Sequence, residues 1–177
     1  MAEPSPGRWR YRALFVALSA MVIFVQLLPL DPGPGQLPGA DILLLIAFSW
    51  TVMRPRVLPV PLLAAVFLIA DILLMRPPGL WTALAILGCE FLRSRRVLLR
   101  SAPFPVEWLL VAAVVAAVSI ANALILAVFA VPQPSAGLTV IRMVFTMAAY
   151  PLVLILAGRA FGVRKTTTDR DALGAGR

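Results

Sequence analysis

Ionisable side chains are costly inside a hydrocarbon layer, and this chain carries several within or beside long apolar runs: Asp41, Asp71, Glu90, Glu107 and Arg142. A carboxylate in such a place can relay protons or ions, pair with a cation, or cap a helix start. Acid–base catalysis asks for paired carboxylates, but these are spread over different depths. Asp71 and Glu90 lie toward opposite faces, which argues against a pathway through Asp41, Asp71 and Glu90. The chain has no histidine and one cysteine, Cys89. Histidine triads, histidine metal sites and internal disulfides are therefore excluded. No CxxC pair and no glycine-rich phosphate loop is present. Cys89 sits in an apolar run and reads as a small hydrophobe. With no nucleophile beside a base and no ligand cluster, no catalytic residue, cofactor or metal is expected.

The elements that hold these groups follow from composition. Of 177 residues, 61% are hydrophobic, well above the roughly 45–50% of soluble domains. A chain this short cannot bury that excess within itself, so lipid or a partner must cover it. Six apolar runs stand out, at 13–30, 41–53, 57–75, 80–92, 106–131 and 138–157. A helix needs about 20 residues to cross a hydrocarbon core of about 30 Å. The second and fourth runs are short. They span only if 37–40 and 77–79 are drawn in, and re-entrant hairpins are the alternative.

Charge decides between these. Arginine and lysine cluster before the first run, between the second and third, between the fourth and fifth, and in the tail. The intervening segments carry only Arg76, with Arg142 inside the last run. Positive residues favour the cytoplasmic side. The expected fold is an all-α polytopic bundle with six crossings of an inner membrane and both termini in the cytoplasm. Residues 1–161 form the bundle, and 162–177 a disordered basic cytoplasmic tail. Trp9, Trp50 and Trp108 near the inner interface and Trp81 near the outer one fit an aromatic belt. The first run is too long for a cleaved signal and reads as a retained anchor. The net charge of +8 belongs to this topology and to anionic lipid, not to nucleic acid.

Individual polar groups then acquire roles. Asp41 opens the second helix and is expected to cap it. Asp71 and Arg142 both lie about 6 Å below the outer surface, so they pair or snorkel separately, with Arg76 an equally reachable partner for Asp71. Glu90 and Arg93 form an i,i+3 pair. Glu107 suits the start of the fifth helix. Ala113, Ala117 and Ala121 recur every fourth residue, as do Ser119, Ala123 and Ala127, with Asn122 beside them. Such spacing suits close helix packing in this bundle or against another membrane protein.

Several stretches carry a resemblance: QLLPL, then GADILLLIAFSW, then ADILLMRPPGLWTALAILGCEFLRSR, PFPVEWLLVA, VPQPSAGL and YPLVLILAGRAFGVRK. Nearly the whole chain resembles the rod shape-determining MreD family, in its alphaproteobacterial form. Asp41, Asp71, Pro78 and Gly79 match the family pattern. Many relatives have glycines before the helix 3 aspartate. Here the stretch is LLAAVFLIAD, and Ala64, Ala65 and Ala70 stand in. The resemblance implies a non-catalytic membrane subunit of the cell-elongation complex that makes lateral peptidoglycan. Its implied partners are an MreC-like scaffold, an MreB-like filament, a RodA-type glycosyltransferase and a class B transpeptidase. Asp41, Asp71, Pro78, Gly79, Asn122 and Arg142 are candidate structural or partner-binding residues. Arg93, Arg95, Arg96 and Arg100 are candidate contacts to lipid or a cytosolic partner. The alternatives are a substrate-binding component of a small-molecule transporter, a fold the family also resembles, and, more weakly, a lipid-modifying membrane enzyme.

Overall fold

The computed structural model describes residues 6–28, 39–54 and 57–160. They form seven helices and no strand: α1 Pro6–Leu27, α2 Ile42–Met53, α3 Val60–Leu73, α4 Leu80–Ser94, α5 Arg96–Ser101, α6 Phe104–Val128 and α7 Ala136–Ala160. Each of the six expected apolar runs holds a helix, and α5 is an addition within the arginine-rich connection. The tail from 162 lies outside the described residues. Three stretches are long and apolar enough to cross a membrane: Trp9–Leu27, Phe104–Val128 and Ala136–Gly158. The others are shorter, at 12, 14 and 15 residues for α2, α3 and α4.

Local chemistry sets the helix ends. Asp41 Oδ1 accepts from Leu44 N at 3.1 Å, the N-cap expected of it. Pro59 and Pro103 precede α3 and α6, where a missing N–H costs nothing. The C-termini of α3 and α6 close alike. Arg76 N donates to Asp71 O and Met75 N to Ile72 O, while Val131 N donates to Leu126 O and Ala130 N to Ala127 O. This paired closure requires a left-handed residue, and Met75 and Ala130 hold φ of 53° and 51°. Glycine would adopt that conformation without strain.

α2 is the centre. Every residue from 43 to 53 is buried, as expected for a helix apolar on all sides. α1, α4 and α7 pack on it. Around them α1 meets α3, α3 meets α4, α4 meets α6, and α6 meets α7. Chain direction reverses from one apolar helix to the next. Tyr11 and Phe15, early in α1, pack on Trp50 near the end of α2, with ring centroids 6.2 and 5.8 Å apart. Arg93 near the end of α4 donates to Leu58 O just before α3. Glu107 near the start of α6 accepts from Tyr150 in the second half of α7.

Gly88 brings α4 close to both α2 and α6. A Cβ there would lie 2.7 Å from Phe48 Cζ and 3.2 Å from Val114 Cγ1. Phe48 is fully buried and has little room to yield.

Pro151 lies inside α7 and lacks the N–H that would bond the carbonyl four residues earlier, Met147 O. The Trp108 indole N–H donates to that oxygen at 3.0 Å. Trp108 thus does more than mark an interface. It fills a gap that proline leaves in a neighbouring helix.

Candidate functional site

Polar side chains from four helices converge where α2, α4 and α7 begin and α3 ends. Asp41 is their hub. It is 5% exposed, and its Oδ2 lies 3.0 Å from Arg142 NH2 and 3.5 Å from Arg76 NH1. Its backbone N–H donates to Thr146 Oγ1, which donates to Arg142 O at 2.7 Å. Two guanidinium groups therefore share one carboxylate oxygen, and the carboxylate's other oxygen caps α2. Burial pulls the Arg76 guanidinium below its ordinary pKa, and the Asp41 carboxylate opposes that shift. An arginine under these opposing influences stays charged.

Asp71 is fully buried and serves a different purpose. Its Oδ2 accepts from Gly79 N, Thr82 N and Thr82 Oγ1 at 3.1, 3.1 and 2.8 Å. It staples the end of α3 to the start of α4, where free amides and the helix dipole favour an anion. Gly79 stands in the left-handed region, φ 88°, at the N-cap of α4, and Pro78 occupies the same turn.

The expected Asp71–Arg142 pair is replaced by Asp41–Arg142, and the Arg76 side chain also goes to Asp41. Asp71 and Arg142 do lie at the same end of the bundle, but position along a helix carries no information on which side of it a group faces. Asp71 instead finds donors 8 and 11 residues ahead.

Beside this hub, Asp41, Asn122, Arg142 and Thr146 line a cleft of about 270 Å³ with Trp81 and Gln133. The Arg142 side chain keeps 40% of its exposure. Ser119 and Ala123 line this cleft as well, whereas Ala113, Ala117 and Ala121 line an open groove between α4 and α6. The small-residue stripes of α6 thus border grooves. Its buried face is Val111, Val114, Val115 and Val118.

At the opposite end, Arg93 bonds Glu90, as expected, and also the Leu58 carbonyl. Both bonds are within the chain, and the Arg93 side chain is left part-exposed. Arg95 and Arg96 are exposed, and Arg95 lies 5.5 Å from the Phe91 ring centroid. The Arg100 side chain falls outside the described residues. Glu107 is buried at 1% exposure and accepts from Tyr150 Oη at 3.0 Å. The helix-start reading had foreseen neither its burial nor this partner. Cys89 is fully buried. Among the described residues, no three histidine, cysteine or acidic side chains gather as metal ligands.

Fold and site define an all-helical protein with helices able to cross a membrane and a charged network at one end of the bundle. No family model, curated protein or solved structure matches the chain.

Proposed function

We propose that this protein is a non-catalytic, multi-pass subunit of the bacterial cell-elongation complex, of the MreD type, and that it binds an MreC-like scaffold in the inner membrane. The observation that carries this reading is a convergence. Asp41, Asp71, Pro78 and Gly79 are the positions matched to the family pattern. They belong to one end of the bundle, where Asp71 holds the Pro-Gly turn and Arg76 of that turn reaches Asp41. The chain crosses the membrane six times with both termini cytoplasmic. The alternating chain direction supports this, and so does the alternation of basic segments. Helices α2, α3 and α4 have axial lengths of about 18–22 Å, so connecting segments or local thinning make up the remaining depth.

A protein with so little mass outside the bilayer meets partners through helix faces and short connections. Arg95 and Arg96 remain available to anionic lipid or to an MreB-like filament, each contributing about 1 kcal/mol near such a surface. The RodA-type glycosyltransferase and class B transpeptidase act in the same assembly. Co-purification from detergent with an MreC-like protein tests the assignment. No association, together with normal cell shape on depletion, would sink it. Topology is tested by single cysteines at Gly35 and Ser94. These are expected to label from opposite compartments, and the buried Cys89 leaves a clean background.

A further inference from the structure

The cleft beside Arg142 does not end where its polar residues end. It runs into an open furrow of about 440 Å³ between α6 and α7. Ser119, Ala123, Thr139 and Met143 line both. Beyond them the walls turn apolar, and Ile120, Leu124 and Val140 are each more than half exposed. Cleft and furrow therefore adjoin across these shared residues, a donor-rich head beside an apolar tail.

Asp41 and Asp71 together balance the charge of Arg76 and Arg142, but the head offers more hydrogen-bond donors than its carboxylates take up. Asp71 is held by the amides and hydroxyl at the start of α4, so Arg76 and Arg142 have Asp41 as their shared partner. A guanidinium has five N–H donors, and the single Arg142 bond to Asp41 leaves most of them for the cleft. Asn122 adds an amide, and the buried Trp81 indole N–H has no acceptor among the described residues. Arg142 and Asn122 each sit six residues from a helix end, about 9 Å along the axis.

We propose that this cleft and furrow together are a binding site for a single anionic lipid. Its phosphate group lies against Arg142 and its chain lies along the α6–α7 furrow. A phosphate suits a guanidinium fork through two parallel charge-assisted hydrogen bonds. The apolar walls exclude a bare anion as the complete ligand. The site stands independently of the partner assigned above.

The test uses the full chain, purified in an uncharged detergent, stripped of lipid, and titrated with phosphatidylglycerol under native mass spectrometry. One lipid binds saturably. Affinity falls about tenfold or more with phosphatidylcholine, whose headgroup is net neutral, and by a similar factor in Arg142→Gln. Thr139→Phe fills the junction between head and tail without touching the ion pair. It abolishes binding while thermal unfolding stays that of the parent. Leu87→Phe, in the separate α4–α6 groove, binds as the parent does. Excess inorganic phosphate leaves the lipid in place. Equal binding of the two lipids, binding unaffected by Thr139→Phe, an equal loss in Leu87→Phe, or displacement by free phosphate would each overturn the proposal.

Discussion

The bond between Trp108 and Met147 makes a quantitative prediction, because its cause lies in a third residue. Pro151 cannot donate to Met147 O, and α7 is long and apolar enough to lie in hydrocarbon, where no water would replace the missing donor. Trp108→Phe keeps an aromatic ring but removes the donor that lies 3.0 Å away. An unpaired carbonyl in apolar surroundings costs about 1–3 kcal/mol. Hydrogen bonds between membrane helices measured by double-mutant cycles are weaker, averaging about 0.6 and reaching about 1.7 kcal/mol. The lower range applies here because Trp108 is partly exposed, so the expected loss from the bond is about 1 kcal/mol. Pro151→Ala restores an in-helix N–H to the same oxygen. In that background Trp108→Phe loses only the difference in ring packing. The four-member cycle, read from unfolding in mixed detergent micelles by helical circular dichroism, should show a coupling of about 1 kcal/mol. Additivity within about 0.3–0.5 kcal/mol would mean that Pro151 and Trp108 do not share Met147 O, and the explanation would fail.

Other perturbations separate the remaining contacts. Asp41→Asn and Arg142→Gln should couple by about 1–2 kcal/mol in the same unfolding assay, whereas Asp71→Asn and Arg142→Gln should be additive. The first value is moderated by the part-exposed Arg142 side chain. Gly88→Val should destabilise by about 1–3 kcal/mol, since the new carbons meet Phe48 and Val114, and a neutral melting temperature would contradict the close approach. Ala130→Gly should stabilise by about 1 kcal/mol by relieving the left-handed residue that ends α6, and a lower melting temperature would count against that closure.

The apolar runs were legible because each carries at most one charged side chain and is flanked by proline, glycine or arginine. The expected 106–131 and the observed Phe104–Val128 differ only at their ends. The short α5 was not legible, because six residues within an arginine-rich connection carry no period to read. For charged groups, the end of the bundle was readable and azimuth was not. Arg142 is therefore expected at the end of the bundle where it lies, but beside the wrong carboxylate. The partners of Asp71 left a usable signal, since a helix-ending aspartate followed by a Pro-Gly turn faces the free amides of the next helix start. Pro151 likewise announces an unsatisfied carbonyl at Met147, but nothing in the one-dimensional order points to Trp108 as the donor. Glu107 and Tyr150 are 43 residues apart and meet only because α6 and α7 run side by side.

The position of α2 bears on how interfaces of this protein can be mapped. From 43 to 53 it offers almost no surface to lipid or to a visiting helix. A neighbouring protein can dock anywhere on the outer helices and still never touch those residues. Loss of assembly caused by a change there must travel through α1, α4 or α7, which lean on it. Substitutions along this inner rod therefore calibrate indirect damage, against which losses from changes on the outer faces can be judged as contact.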